Sequence, residues 1–219
     1  MTKPTLIALL PLLFACGLLA QQGNKARTLR DGFVDLQEYM PDLKVDLRYH
    51  NRKNFIGKRI AGYEADRCVG TKPLALALTK VQTALKPYKL GLKVFDAYRP
   101  QRAVAQFVRW ANDANDVTHK ATYYPKVAKR DLIEEGYIAS KSSHSRGSSI
   151  DLTLIDLSDP KHPELDMGSS FDLFDPQSHA ENLEVSATQS RDWGADLWDR
   201  YTVMLPSDPM CTTELSTSS

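Results

Sequence analysis

"LGLKVFDAYRPQRAVAQFVRWAND", residues 90–113, changes its period halfway along. Up to Asp96 it is a short run of β-forming character. Pro100 then stands at the first turn of a helix, where proline is tolerated, and an amphipathic helix follows. Arg99 falls on the junction, the kind of place where functional side chains collect on a rigid scaffold. A guanidinium fixed there is able to clamp a carboxylate or stabilise an oxyanion; the competing reading is a surface arginine paired with Asp96.

Working outward, "TKPLALALTKVQTALKPY" (71–88) repeats apolar residues at helical spacing, with Pro73 near its start. Before it, "FVDLQEYMPDLKVDLRYH" (33–50) alternates and predicts extended structure broken at Pro41. Downstream, "IDLTLIDL" (150–157) is the clearest strand in the chain. Strand, helix, strand, helix, strand, with antiparallel neighbours available, predicts an α+β class. At 219 residues and 42% apolar the chain is long enough for one domain with a sizeable core and too short for two of ordinary size.

The ends differ from this domain. Lys3 precedes an apolar run from Leu6 to Ala20, which reads as an export signal over 1–20 and is too short to span a bilayer comfortably. Leu13-Phe14-Ala15-Cys16 offers a lipoprotein-type cleavage with a lipid anchor on Cys16; cleavage after Ala20 is the other reading. Both place the protein outside the cytoplasm, in the periplasm or on the envelope membrane. Without Lys3 the balance is 27 basic to 27 acidic residues, so no charge steers the chain to nucleic acid. Cys68 and Cys211 are too few for a disulfide framework and read as unpaired thiols. From about residue 185 no helical or alternating period persists.

The chemistry is denser in "SKSSHSRGSSIDLTL", residues 140–154. Imidazole and carboxylate are both zinc ligands, and Gly147 lets the chain turn sharply between His144 and the strand that carries Asp151. Taken alone, two such residues seven apart also fit a surface pair. Ser142, Ser143, Ser145, Ser148 and Ser149 supply the small hydrogen-bonding groups a polar ligand site needs.

Together with "NFIGKRIAGYEADRCVGT" and "MGSSFDLFDPQSH", these blocks resemble, in order and spacing, the D-alanyl-D-alanine dipeptidases of the vancomycin-resistance X type, over residues 33–188. The resemblance implies a single domain (21–188) of the hedgehog/D,D-peptidase fold, with a central antiparallel sheet flanked by helices. It also implies one Zn2+ held by His144 and Asp151, a transition state stabilised by Arg99, and a small dipeptide substrate beside Tyr98, Ser142 and Ser143. The family completes its site with Glu-Trp-Trp-His, general base and third ligand, and this sequence has no such motif. The base is therefore not found. His179, in the "DPQSH" segment, is a weak candidate for the third ligand; Glu181 and Glu184 lie nearby, but no Glu here has a His three residues on. The expected function is zinc-dependent hydrolysis of D-Ala-D-Ala, impaired by the divergent tail at 189–219. The alternatives are an inactive envelope protein that binds peptidoglycan peptides and a D,D-carboxypeptidase.

Overall fold

The computed structural model describes residues 29–179. The leader with Cys16, together with Glu181, Glu184, Cys211 and the tail at 189–219, lies outside the described residues. The observed class is α+β, built on two small sheets. In the first, β1 (Phe33–Asp35) pairs antiparallel with β3 (Val69–Thr71). In the second, β4 (Leu90–Asp96) is central, antiparallel to β5 (Asp151–Asp156) and parallel to the short edge strand β2 (Lys44–Val45).

The two long helices lie where their periods place them. Helix α2 (Lys72–Leu85) starts at Thr71, whose hydroxyl accepts from the Leu74 amide, with Pro73 in the first turn. It buries Leu74, Leu78 and Leu85 in one cluster with Leu92 and Val94 of β4 and Leu152 of β5. Gln82 ties helix to sheet, its side-chain oxygen accepting from the Leu92 amide at 3.0 Å. Helix α3 (Gln101–Ala111), with Pro100 at its cap, turns Ala103, Phe107 and Trp110 into a second, aromatic cluster with Tyr49, Phe55, Tyr124 and Phe174.

The stretch 33–50 departs from the extended reading. Between β1 and β2 the chain makes a one-turn helix, α1 (Leu36–Tyr39), because Asp35 caps it: its Oδ1 accepts from the Gln37 amide at 3.0 Å while Leu36 is buried beneath. Alternation cannot report a cap, since Asp and Leu occupy the same positions in either pattern. Among the described residues no helix is long and apolar enough to cross a membrane. Cys68 is buried, with no disulfide partner among the described residues, and burial pushes its thiol pKa up.

Candidate metal centre

The antiparallel register of β4 and β5 sets Asp96 directly across from Asp151, after a bulge between Val94 and Asp96. Two carboxylates so placed repel unless a cation joins them. Arg99 joins them: Nε donates to Asp96 at 2.9 Å and Nη2 to Asp151 at 3.0 Å. Its guanidinium lies 5.2 Å from the centre of the Tyr49 ring and 5.5 Å from that of Phe107. The two sequence readings of this arginine thus merge. It is paired with Asp96, yet it is half-buried in the wall of a cavity rather than on the open surface, and no hydrogen bond among the described residues engages Nη1.

The loop before β5 is clasped onto this arginine. The Arg99 amide donates to the carbonyl of His144, and the Ser145 hydroxyl donates to the carbonyl of Arg99 at 2.9 Å. A 3-10 turn over Ser143–Arg146 ends at Gly147, whose φ is +77°; a Cβ there would meet the Phe33 ring at 2.4 Å. The turn aims a buried imidazole at Asp151. Nδ1 of His144 lies 2.9 Å from the Ala97 carbonyl, which only an N–H satisfies, so Nε2 is the nitrogen that faces Asp151 Oδ1 at 3.2 Å.

That arrangement tests the donor set for a metal. With Nδ1 protonated, Nε2 and the carboxylate oxygen present two lone pairs to each other, which a proton or a cation between them reconciles. Zinc bonds of about 2.0–2.1 Å put two tetrahedral ligand atoms about 3.3 Å apart, close to the observed separation. The pair fits. Asp96 stands within the same cluster, all three ligand atoms lying within 4.8 Å of one another. Its oxygens are nevertheless engaged by Tyr63 Oη (2.7 Å) and Arg99 Nε, and its approach to His144, 3.6 Å, is to Nδ1. Asp96 is thus already engaged as the anchor of Arg99, and the facing pair is His144 and Asp151.

Burial tends to lower the His144 pKa, but the Asp151 charge outweighs it and the imidazole is held above its ordinary value. Burial likewise tends to raise Asp151, and the His144 and Arg99 charges together hold it below the usual carboxylate range. A metal and a proton would compete for the same pair of atoms, and binding would release the proton.

Beside the pair is a cavity of about 190 Å3 walled by aromatic rings, with Arg99, Lys141, His144, Asp151 and Asp172 as its ionisable groups. Ser142 and Ser143 line it. Tyr98 does not: it lines a second cavity of about 540 Å3 and packs edge-on against Phe33. His179 is exposed, stacked 5.3 Å from Tyr137, and is not among the residues that converge with His144 and Asp151.

Asp172 and Tyr49 were not singled out by sequence. Asp172 holds a left-handed φ of +62° inside "MGSSFDLFDPQSH", accepts from Tyr49 Oη at 2.9 Å, and has no hydrogen bond to Oδ2 among the described residues. Burial, and then the Asp151 charge, push its carboxyl up to about 8. The residue lies in a quoted block; its role is invisible there because the partner tyrosine is 123 positions away.

The comparisons agree with one another. A family model described as D-ala-D-ala dipeptidase matches residues 30–194. Over 165 residues the chain is 44% identical to a D-alanyl-D-alanine dipeptidase of Enterococcus faecalis, covering 74% of this chain and 81% of that protein. It is 41% identical over 162 residues to one of Enterococcus faecium, covering 73% and 79%. To one of Escherichia coli it is 34% identical over 159 residues, covering 72% and 70%.

Proposed function

The chain belongs to the D-Ala-D-Ala dipeptidase family, and from that premise we propose that it hydrolyses the free dipeptide D-Ala-D-Ala in cell-wall metabolism, with a zinc ion held by His144 and Asp151. The observation that carries this reading is the facing pair His144 Nε2 and Asp151 Oδ1, 3.2 Å apart, beside an arginine with one arm of its fork unengaged among the described residues. When bound, zinc supplies Lewis-acid polarisation of the peptide carbonyl and acidifies a water toward a pKa of about 7.

The chain's own groups do the rest. Arg99, steadied by two carboxylates, offers Nη1 to the carbonyl oxygen as negative charge develops there. Asp172 offers an acceptor oxygen for a free ammonium, which favours a dipeptide over the acylated end of a longer peptide. Ser142 and Ser143 border the cavity and supply small polar groups to the remaining substrate atoms. We further propose that the leader exports the chain and that Cys16 carries a lipid anchor. If so, Cys16→Ser moves the protein from the membrane fraction into the soluble periplasm, whereas a soluble parent protein removes the anchor.

The sequence carries no Glu-Trp-Trp-His. Absence of a general base lowers turnover by about two to four orders of magnitude, and a two-ligand zinc site is weaker than a three-ligand one. We therefore expect slow turnover and weak zinc affinity. This same observation favours the second reading, an envelope protein that binds peptidoglycan peptides without cleaving them. One experiment decides: zinc content is measured alongside D-alanine release from D-Ala-D-Ala, from its N-acetyl form and from a pentapeptide. Zinc-dependent release from the free dipeptide, lost on N-acetylation, supports the enzyme. A folded, metal-free protein with no release overturns it in favour of binding, and preferred cleavage of the pentapeptide overturns it in favour of a carboxypeptidase.

A further inference from the structure

Asp96 steadies Arg99, and something must steady Asp96. Its carboxylate is buried at the end of β4, free in principle to rotate about its last side-chain bond, and Arg99 Nε takes only Oδ2. The other oxygen accepts from Tyr63 Oη at 2.7 Å, which fixes the plane of the carboxylate. Tyr63 is itself immobilised: its ring meets that of Tyr49 edge-on at 5.6 Å, its amide donates to the Ile60 carbonyl, and its own carbonyl accepts from His50 Nδ1 at 2.9 Å. Unlike Tyr49, it does not line the cavity beside His144; it lines the second cavity, behind Asp96 and Ala97. It touches no substrate there.

We propose that Tyr63 is a positioning residue for the reaction: acting through Asp96, its hydroxyl holds the Arg99 guanidinium so that Nη1 presents to the developing oxyanion. The paired tyrosines divide the labour. Tyr49 orients Asp172, which faces the substrate's ammonium, and Tyr63 orients Asp96, which faces the arginine. Loss of the Tyr63 hydroxyl leaves the ring packing intact, frees the carboxylate to turn, and loosens one of the two anchors of the fork. Substrate binding does not depend on that anchor, whereas the transition state does.

The inference rests on the dipeptidase reading, and its test separates the two. Tyr63→Phe is compared with the parent protein, full chain in both cases, by the solvent exchange of arginine Nε–H groups in nitrogen-15 NMR, with the Arg99 signal assigned through Arg99→Lys. The internal control is Arg67, whose Nε donates to Asp35 at 2.9 Å without Tyr63. The expected result is exchange at Arg99 faster by about tenfold or more with Arg67 unchanged. No change at Arg99, or equal acceleration at both arginines, overturns the proposal. In D-Ala-D-Ala hydrolysis kcat falls by about tenfold and KM stays within about twofold; a rise in KM alone also overturns it. If the parent protein releases no D-alanine, the dipeptidase reading fails, while the arginine signals still decide the role of Tyr63.

Discussion

The two halves of the interior are built differently. Around α2, β4 and β5 the core is aliphatic, with Leu74, Leu78, Leu92, Val94 and Leu152 projecting from regular elements. Around α3 it is aromatic, and most of its rings, among them Tyr49, Phe55, Tyr63, Tyr124 and Phe174, come from turns and loops. The candidate site is the seam. His144 and Asp151 hang from the aliphatic side, at the mouth of β5, whereas Arg99 lies over Tyr49 and Phe107 of the aromatic side. The difference assigns work: the aliphatic side fixes His144 and Asp151, and the rings shape the cavity and hold the guanidinium in a region of low dielectric, where a charge acts most strongly.

The largest effect is expected from opening that seam. Asp151→Asn removes the charge that both Arg99 and the metal share. Zinc affinity, measured by competition with a chelator, should fall at least about 100-fold. Thermal unfolding of the protein without metal should move far less, because Asp96 still pairs with the arginine. Unchanged zinc affinity would remove Asp151 from the ligand set.

Next come the two cores themselves. Phe55→Ala should cost about 3–5 kcal/mol and Leu78→Ala about 2–5 kcal/mol in denaturant unfolding, since both side chains are fully buried. They should part company in function. Phe55 lines the cavity and packs against Phe107, Trp110 and Phe174, so its loss should weaken dipeptide binding; Leu78 lines no part of it, and its loss should leave dipeptide binding intact. If both variants bind dipeptide equally well, the division of labour between the halves is wrong.

The same contrast explains what was legible in the sequence. Helices α2 and α3 and strands β4 and β5 announce themselves because packing against a sheet imposes a period, and a period can be read from one chain. His144, Asp151 and Arg99 stand out in the sequence because they lie in short blocks that resemble a known family; their local geometry alone, a Gly147 turn and a strand-to-helix junction, also fits surface pairs. The aromatic half has no period to read. Its contacts join positions far apart, Tyr49 to Asp172 and Phe55 to Phe174, through segments that make few regular hydrogen bonds. Asp96 was legible only as a rival partner for Arg99; that it also faces His144 and lies across from Asp151 depends on a strand register and a bulge. That Tyr98 lines the second cavity and packs on Phe33, while Arg99 lines the first, depends on a bend past the end of β4 that no motif reports.

The smallest effect, and the one that separates ligand-facing charge from structural charge on the aromatic side, concerns Asp172. Its carboxyl is pushed up to about 8, first by burial and then by the Asp151 charge, so the folded protein holds this proton more tightly than the unfolded chain does. The sign follows from linkage. The stability this group contributes is complete below the ordinary carboxylate pKa near 4 and is lost as pH rises through about 8, because ionising it in place costs more than ionising it in the unfolded chain. Asp172→Asn cannot ionise, and its amide oxygen can still accept from Tyr49 Oη. Between pH 5 and 9 the parent protein should therefore lose about 1–2 kcal/mol relative to the variant, a few degrees in the thermal midpoint, with relaxation and water keeping the difference below the full shift. A dipeptide whose ammonium pairs with Asp172 stabilises the ionised carboxylate, so saturating D-Ala-D-Ala should narrow the gap in the parent protein and leave the variant unmoved. Parallel pH curves for the two proteins would show that Asp172 is already ionised in the fold, and a gap indifferent to dipeptide would place the ammonium elsewhere.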